Sequence, residues 1–212
     1  MIEEPRTLTK TELRAFNDQT TGNRTGSHLQ SQLELGGVPQ DFTTVVMTLA
    51  TNLVEPVTVI DIRPIKECAE PFNGTYFQVY RQGSGANPNV KLGVDLDNPD
   101  PHAQQLDDQG LLTDSVYFAD NNVVLKPREP ITFSVAALTR RYGCSFKFEV
   151  LVATPAGTVT QVVDNSGEPF RVTAKAPPKD PLFPLSGYSV AYVQGAGNVW
   201  RAVDPGTYRG SR

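Results

Sequence analysis

The middle of the chain alternates apolar and polar side chains with a period of two, which is typical of strands that bury one face. In FTTVVMTLA, residues 42–50, Val45 and Met47 lie on one face, while Thr44 and Thr48 lie on the other. This segment is therefore predicted to be a strand with one buried face.

The segment SFKFEVLVAT shows the alternation most clearly, because Phe146 and Phe148 point inward while Lys147 and Glu149 point outward. Short turns rich in Gly, Pro, Asn and Asp separate this segment from others of the same kind. The other segments with a period of two are PVTVIDIR, GTYFQVY, VKLGVDL, NNVVLKPREPITFSVAAL, TPAGTVTQVVD and EPFRVTA.

These segments predict an all-β fold of about nine strands. No amphipathic helix lies between them, and parallel strands usually need such a helix as their crossover connection. We therefore predict an antiparallel immunoglobulin-like β-sandwich over residues 41–174.

Residues 1–40 are predicted to form a polar arm with one short helix. Thr9 and Glu12 have the spacing of a capping box, in which each side chain accepts a hydrogen bond from the other residue's backbone N–H. Leu13 and Phe16 give this helix a small apolar face. The rest of the arm carries too little apolar surface to offset the entropy of ordering it, so a linker or a partner-ordered arm is expected.

The end of the chain reads as two further segments. Residues 175–186 are rich in proline, which removes backbone donors from a sheet, and are predicted to be a stiff linker. Residues 187–212 contain two apolar runs around a glycine-rich turn and are predicted to form a C-terminal hairpin or tail.

Composition and charge narrow the classes of partner. The chain has 212 residues, 39% of them hydrophobic, and a formal net charge of −4. Without a basic cluster, nucleic acid is not an expected partner. No apolar run approaches the length of about 18 residues that a membrane span needs, so none is predicted in this chain.

The stretch GVDLDNPDPHAQQLDD, residues 93–108, concentrates aspartates around a histidine. Asp95, Asp97 and Asp100 offer the oxygen ligands that calcium prefers, although the spacing of a calcium-binding EF-hand loop is missing. The favoured interpretation is a solvated loop in which Asp95 and Asp97 guard an exposed sheet edge. A weak calcium site is the alternative, and no cofactor is predicted.

The two cysteines, Cys68 and Cys144, leave two interpretations open. They are either separate buried thiols that act as small apolar side chains, or one disulfide across the sandwich. The disulfide would imply an oxidising compartment.

The sequence does not single out a catalytic centre. Of its two histidines, His28 lies in the polar arm and His102 in the acidic loop, and neither stands beside a GxSxG or SxxK nucleophile motif. The chain is therefore predicted not to be an enzyme.

Aromatic and arginine side chains are better candidates for recognition, because they supply large contact areas and fixed donors. The alternative is structural: the tyrosines would pair across strands on a solvent-facing sheet, and the tryptophan would anchor the hairpin. The candidates are Tyr76, Tyr80, Arg140, Arg141, Tyr142 and Trp200.

Two segments, LATNLVEPVTVIDIR and VVLKPREPITFSVAAL, resemble bacterial extracytoplasmic immunoglobulin-like modules. NGTYFQVY, LGVDLD, ALTRRYGCSFKFEV and SGEPFRVTA are similar to segments of uncharacterised actinobacterial envelope-associated proteins. The resemblance implies the topology and an extracytoplasmic or envelope-associated location, with the cytoplasm as the alternative. It implies no activity.

We expect a non-catalytic binding or scaffolding module that engages a protein or a glycan. The first alternative is a structural subunit of a phage or capsid-like assembly, in which the chain would form homo-oligomers. The second is a hydrolase with a site built from scattered acidic residues.

Overall fold

The structure is a computed structural model that describes residues 1–20, 27–78, 90–107 and 109–210. The described part of the chain consists mainly of strands, with little helix, so the prediction of a mostly β fold is confirmed. The chain forms two compact units. Unit 1 consists of Met1–Gln40, Pro71–Gly85 and Thr173–Arg212, and unit 2 consists of Asp41–Glu70 and Ala86–Val172.

The described part of the chain contains thirteen strands, more than the predicted number, partly because β5 and β6 are too short to show an alternating pattern. The strands are β1 Phe42–Leu49, β2 Val57–Ala69, β3 Thr75–Gln78, β4 Val90–Asp95, β5 Gln104–Leu106, β6 Leu112–Val116, β7 Val123–Leu125, β8 Ile131–Leu138, β9 Gly143–Thr154, β10 Gly157–Val163, β11 Phe170–Thr173, β12 Val190–Gln194 and β13 Trp200–Val203. The helices are α1 Lys10–Thr20, α2 Ser27–Glu34 and α3 Tyr117–Asp120, with a 3-10 turn at Ala196–Asn198.

Unit 2 contains two sheets whose buried side chains form one hydrophobic cluster. The first sheet has the strand order β1-β8-β4-β5-β6, and the second has the order β10-β9-β2-β7, with β11 also paired to β9. Val45 and Phe133 come to the cluster from the first sheet, and Ile62 and Phe146 come from the second. The fully buried members make this cluster the main core of unit 2.

The predicted alternation is confirmed in the strands of this core. Val45 and Met47 are buried in β1 while Thr44, Val46 and Thr48 are exposed. The same pattern holds in β9, where the residues at even positions from 144 to 150, one cysteine and three apolar residues, are buried. Apolar alternation therefore decides which face of each strand enters the core.

The expectation of purely antiparallel pairing is wrong at two places. β4 pairs parallel with β8, with Leu92 opposite Val135, and β12 pairs parallel with β3, with Ala191 opposite Tyr76. The connection from β4 to β8 runs through β5, β6, α3 and β7 rather than through a long helix. Two parallel neighbouring strands need a long connection, and here short strands and one short helix form that connection in place of a long helix.

Unit 1 is built on the three-stranded sheet β13-β12-β3, which is covered on both faces. Tyr76 and Val193 belong to one hydrophobic cluster of this unit, whereas Phe77 and Tyr192 belong to another. Neighbouring residues of β3 therefore point into different clusters, and both are buried.

The N-terminal segment differs from the predicted arm because five of its apolar side chains are buried in unit 1. The predicted helix is confirmed as α1, and its capping box is present: Thr9 N–H donates to Glu12 Oε2 at 2.8 Å, and Glu12 N–H donates to Thr9 Oγ1 at 3.2 Å. A second helix, α2, follows. The buried apolar residues of this segment are Met1, Ile2, Leu8, Phe16 and Val38.

The C-terminal segment contains the predicted hairpin, because β12 and β13 pair antiparallel with Gln194 opposite Trp200. The proline-rich stretch before it, predicted to be a stiff linker, is instead packed into unit 1. Ala176 and Leu185 are buried in unit 1, and Tyr188 Oη accepts a hydrogen bond from Ala176 N–H at 2.9 Å. Prolines stop this stretch from joining a sheet but do not stop it from packing.

Among the residues that the structure describes, no helix is long and apolar enough to cross a membrane.

Candidate functional site: the free edge of strand β1

The aspartates of the acidic loop act as local hydrogen-bond acceptors. Asp95 Oδ1 accepts from Asp97 N–H at 2.9 Å. The Asp97 carboxylate accepts from Thr139 Oγ1 at 2.7 Å and from Arg140 N–H at 2.8 Å. Both oxygens of Asp97 are therefore engaged by the turn that joins β8 to β9.

The described residues contain no cluster of three or more acidic, histidine or cysteine side chains that would hold a metal ion. The candidates Asp95, Asp97 and Asp100 are thus not gathered into a calcium site in this part of the chain. The prediction that Asp95 and Asp97 guard a sheet edge is also wrong. β4, which ends at Asp95, lies between β8 and β5 in the interior of its sheet.

His102 lies between two carboxylates. Its Nδ1 is 3.0 Å from Asp61 Oδ2, and its Nε2 is 3.6 Å from Asp100 Oδ2. A general base needs a ring nitrogen directed at the hydroxyl that it deprotonates. Because both nitrogens of His102 face carboxylates, this arrangement does not supply such a base. His28 falls in a part of α2 whose side chains are not described.

The Arg140–Tyr142 turn is exposed at its arginines. The Arg141 guanidinium lies 5.4 Å from the centre of the Tyr142 ring, and Tyr142 packs against the core of unit 2. The turn is held by Thr139, whose Oγ1 accepts a hydrogen bond from Tyr142 N–H at 3.1 Å. The arginines stay candidates for recognition, while the tyrosine supports the turn.

Two predicted recognition residues are buried instead. Tyr76 is 7% exposed and stacks on Tyr188, with ring centres 4.6 Å apart. Trp200 is 1% exposed and its backbone N–H donates to Asn17 Oδ1 at 2.6 Å, so it anchors β13 against α1. Neither side chain has a face open to a ligand. Tyr80 lies outside the described residues.

Cys68 and Cys144 form a disulfide. They stand opposite each other in the antiparallel pair of β2 and β9, so the bond joins neighbouring strands of one sheet. Of the two interpretations from the sequence, separate thiols are therefore wrong, and the disulfide is present but does not run between sheets. Cross-strand partners lie close enough for a disulfide without any contact between sheets.

The feature that the sequence interpretation missed is the position of β1 at the end of its sheet. β1 pairs with β8 on one side, and its other side has no strand partner within the described residues. An edge strand presents a row of backbone N–H and C=O groups that a further strand can pair with.

The register identifies which backbone groups face this free edge. Thr139 N–H donates to Asp41 O at 2.9 Å, immediately before the pair of Phe42 and Leu138. Hydrogen-bonded and non-hydrogen-bonded pairs alternate along an antiparallel ladder. Odd-numbered residues of β1 therefore bond to β8, and the residues that direct N–H and C=O to the free edge are Phe42, Thr44, Val46 and Thr48.

A groove of about 460 Å³ runs along this edge. One wall is β1 from Thr43 to Leu49. The other is formed by Val163–Ser166, at the end of β10 and in the turn that follows, and by Phe170 at the start of β11. We call this feature the β1 groove. Its opposite walls belong to different sheets of unit 2, so a strand added to β1 would extend the first sheet beside the end of β10.

The β1 groove has little charge. Among the residues that line it, only Asp164 is ionisable, and its Oδ2 lies 2.9 Å from Lys147 Nζ. The hydrogen bond from Lys147 holds the pKa of the Asp164 carboxyl below its usual value. The groove therefore favours an uncharged, extended occupant.

β1 also lacks the features that usually protect a sheet edge. Edge strands commonly carry lysine, proline or an inward-pointing charge, but FTTVVMTL has none of these and exposes Val46 at 61% and Phe42 at 48%. This absence of charge was visible in the sequence. Its meaning depended on the position of β1 in the sheet, which the sequence did not reveal.

No family model matches the chain, and neither the curated proteins nor the solved structures searched contain a match.

Proposed function

We propose that this protein is a non-catalytic binding module that adds an extended strand of a protein partner to the free edge of β1. The single observation that carries the proposal is an uncharged eight-residue edge strand whose side away from β8 has no strand partner among the described residues and opens directly onto a groove. Strand addition gives affinity through backbone hydrogen bonds and specificity through alternate side chains.

The side-chain pattern of β1 indicates the occupant. Residues of the partner opposite Val45 and Met47 would point toward Val163 and Phe170, so apolar side chains fit there. Residues opposite Thr44 and Thr48 would remain on the exposed face. The favoured partner segment therefore alternates apolar with small polar residues and carries no charge at its centre.

We further propose an extracytoplasmic location. The disulfide between Cys68 and Cys144 supports it, because disulfides persist mainly in oxidising compartments. The two-sheet arrangement of unit 2 agrees with a sandwich scaffold of the immunoglobulin-like kind, although its parallel β4–β8 pair is an unusual feature for that class.

The proposal of a protein partner is preferred to that of a glycan. Glycan sites commonly present aromatic rings for stacking, and the aromatic candidates Tyr76 and Trp200 are buried. The structural-subunit alternative receives support from a second uncharged edge strand, β10, which is exposed over most of its length. Two such edges on one chain would suit repeated assembly.

The test uses peptides selected from a random linear library on the wild-type chain, immobilised sparsely so that neighbouring copies do not meet. We expect the selected peptides to alternate apolar and small polar residues. We expect Val46→Pro to weaken their binding about tenfold or more, because proline removes one outward N–H and its ring blocks the edge.

Val46→Thr is the matched control, since it keeps a β-branched side chain and the backbone N–H. The N–H of Val46 points away from β8, so the proline variant should keep its fold, which its denaturant midpoint would report. Peptides that bind Val46→Pro as tightly as the wild type would contradict the proposed function.

A further inference from the structure

The sequence of β1 is complementary to itself when two copies are placed antiparallel. In an interface with two-fold symmetry, each residue of one copy meets a fixed residue of the other, and one residue at the axis meets itself. The outward backbone groups of β1 belong to even-numbered residues, so only registers that pair even with even positions form hydrogen bonds.

One such register places Val46 on the axis. It pairs Thr44 with Thr48 of the second copy on the exposed face, and Val45 with Met47 of the second copy on the buried face. Like therefore meets like at these central positions, and Thr43 opposite Leu49 is the one mixed pair within β1. The neighbouring symmetric register, with Val45 on the axis, would mix apolar and polar partners at three kinds of pair rather than one. These pairs are Phe42 with Thr48, Thr43 with Met47 and Thr44 with Val46.

The pairing chemistry that this register needs already occurs in the chain. Thr48 faces Thr132 across β1 and β8, and their hydroxyls share a hydrogen bond of 3.0 Å. Thr44 and Thr48 would form two further threonine pairs across the axis, and threonine pairs stabilise antiparallel sheets. Val46, the most exposed apolar side chain of β1, would be covered by its own copy.

Charge also permits this contact. In a symmetric contact a charged residue near the axis meets its own charge, which is repulsive. β1 carries no charged residue, and the only ionisable residue lining the groove is paired with Lys147. Three residue pairs with two bonds each would give about six backbone hydrogen bonds.

Resting on the proposed function, we infer that the partner strand is β1 of a second copy of this chain. The two copies pair antiparallel about an axis at Val46 and join their first sheets into one continuous sheet. The protein is then a symmetric dimer in solution.

Charge substitution at the axis tests the inference by sedimentation velocity over a range of concentrations. We expect a dimer for the wild type. Val46→Lys and Val46→Glu should each raise the dissociation constant about tenfold or more, because residue 46 then faces a like charge. An equal mixture of the two variants should restore dimers, because opposite charges then meet. If mixing leaves both variants monomeric, the axis is not at Val46.

Cross-linking tests the register. Both native cysteines are in the disulfide, so an introduced cysteine is the only free thiol. Val46→Cys should form a covalent dimer on mild oxidation, since paired Cα atoms about 5.5 Å apart allow a disulfide. Thr44→Cys alone should not, because the two copies of residue 44 would be roughly 13 Å apart. The double variant with Thr44→Cys and Thr48→Cys should form the covalent dimer again, because residue 44 of one copy is opposite residue 48 of the other.

Val124→Lys is the matched control for Val46→Lys in the sedimentation experiment. Val124 is 42% exposed on β7, the strand at the opposite end of the second sheet from β10. It should leave the dimer intact. If the wild type is monomeric but still binds the selected peptides through Val46, the partner strand is not that of a second copy. The proposal of strand addition to β1 would still be supported. Equal cross-linking of Val46→Cys and Thr44→Cys would overturn the register.

Discussion

At the scale of single residues, Asp97 connects two loops of unit 2. Its carboxylate accepts hydrogen bonds from the side chain of Thr139 and from the backbone of Arg140, and its own N–H donates to Asp95. Aspartates commonly form such turns because their short side chains reach nearby backbone donors. The acidic character of the loop is thus explained by turn formation.

We expect Asp97→Ala to lower the free energy of unfolding of unit 2 by about 1 to 2 kcal/mol, since the β8–β9 turn loses two charge-assisted hydrogen bonds. Asp100→Ala is the control. The Asp100 side chain is 87% exposed, so its loss should change stability by less than about 0.5 kcal/mol. Urea titration of both variants measures the difference, and equal losses would show that Asp97 does not hold the turn.

Local motifs could be predicted from the sequence, whereas burial between distant segments could not. The capping box of Thr9 and Glu12 depends on residues three apart, and it forms as expected. The burial of Tyr76 depends on Tyr188, which belongs to a separate segment of the chain. Period-two patterning marks Tyr76 as one face of a strand but does not show what covers that face.

At the scale of elements, the patterning identified β1, β8 and β9 correctly but not their neighbours in the sheet. Strand order decides which strand is at an edge, and no residue pattern of β1 distinguishes an edge from a central position. The parallel pairing of β12 with β3 was equally invisible, because the connection between them includes the whole of β4–β11.

One close crossing of elements in unit 1 gives a prediction. Gly74 precedes β3, and a Cβ at this position would overlap the backbone of Glu3 and Glu4. Neither backbone segment can rotate away as a side chain can. We therefore expect Gly74→Ala to destabilise unit 1 by about 2 kcal/mol or more.

Gly195→Ala is the control for this substitution. Its added Cβ would lie 3.6 Å from Val199 O, which is ordinary contact, and its φ of −100° suits alanine. Near-ultraviolet circular dichroism of Trp200, which lies in unit 1, follows unfolding in both variants. If the two alanine variants unfold at the same denaturant concentration, the crossing at Gly74 is not tight.

At the scale of the whole molecule, the stability of unit 1 should depend on pH through a buried amine. Met1 is 5% exposed, and its amino group donates to Val38 O at 2.7 Å. Burial lowers the pKa of this amine from 8.0 to about 6, since desolvation disfavours the charged form.

Between these two pKa values the unfolded chain binds more protons at this amine than the folded chain, so stability rises with pH. We expect unit 1 to gain about 2 to 3 kcal/mol from below pH 6 to above pH 8 through this group. Urea titrations of the unmodified chain and of an Nα-acetylated chain, at both pH values, isolate the effect. The same pH dependence in both chains would exclude the amine as its source.

The assembly of unit 1 from three separate segments of the chain could not be predicted from composition. The apolar residues of the N-terminal segment, of residues 71–78 and of the C-terminal segment are sparse in each segment taken alone. Only the apolar side chains of all three segments together cover both faces of the three-stranded sheet of unit 1. The hydrophobic pattern of each short segment therefore predicted an arm and a linker, whereas in the structure both segments contribute to the core of unit 1.

The division of unit 1 into three segments also has a consequence for biosynthesis. A ribosome delivers Met1–Gln40 before all of unit 2, and β12 and β13 only after it. Unit 2, and the cystine between Cys68 and Cys144, can be completed while the earliest residues still lack their sheet. The nascent chain must therefore keep Phe16 and Phe77 from aggregating until β12 and β13 have been made, which makes a truncation before β12 more harmful than the few residues of these strands suggest.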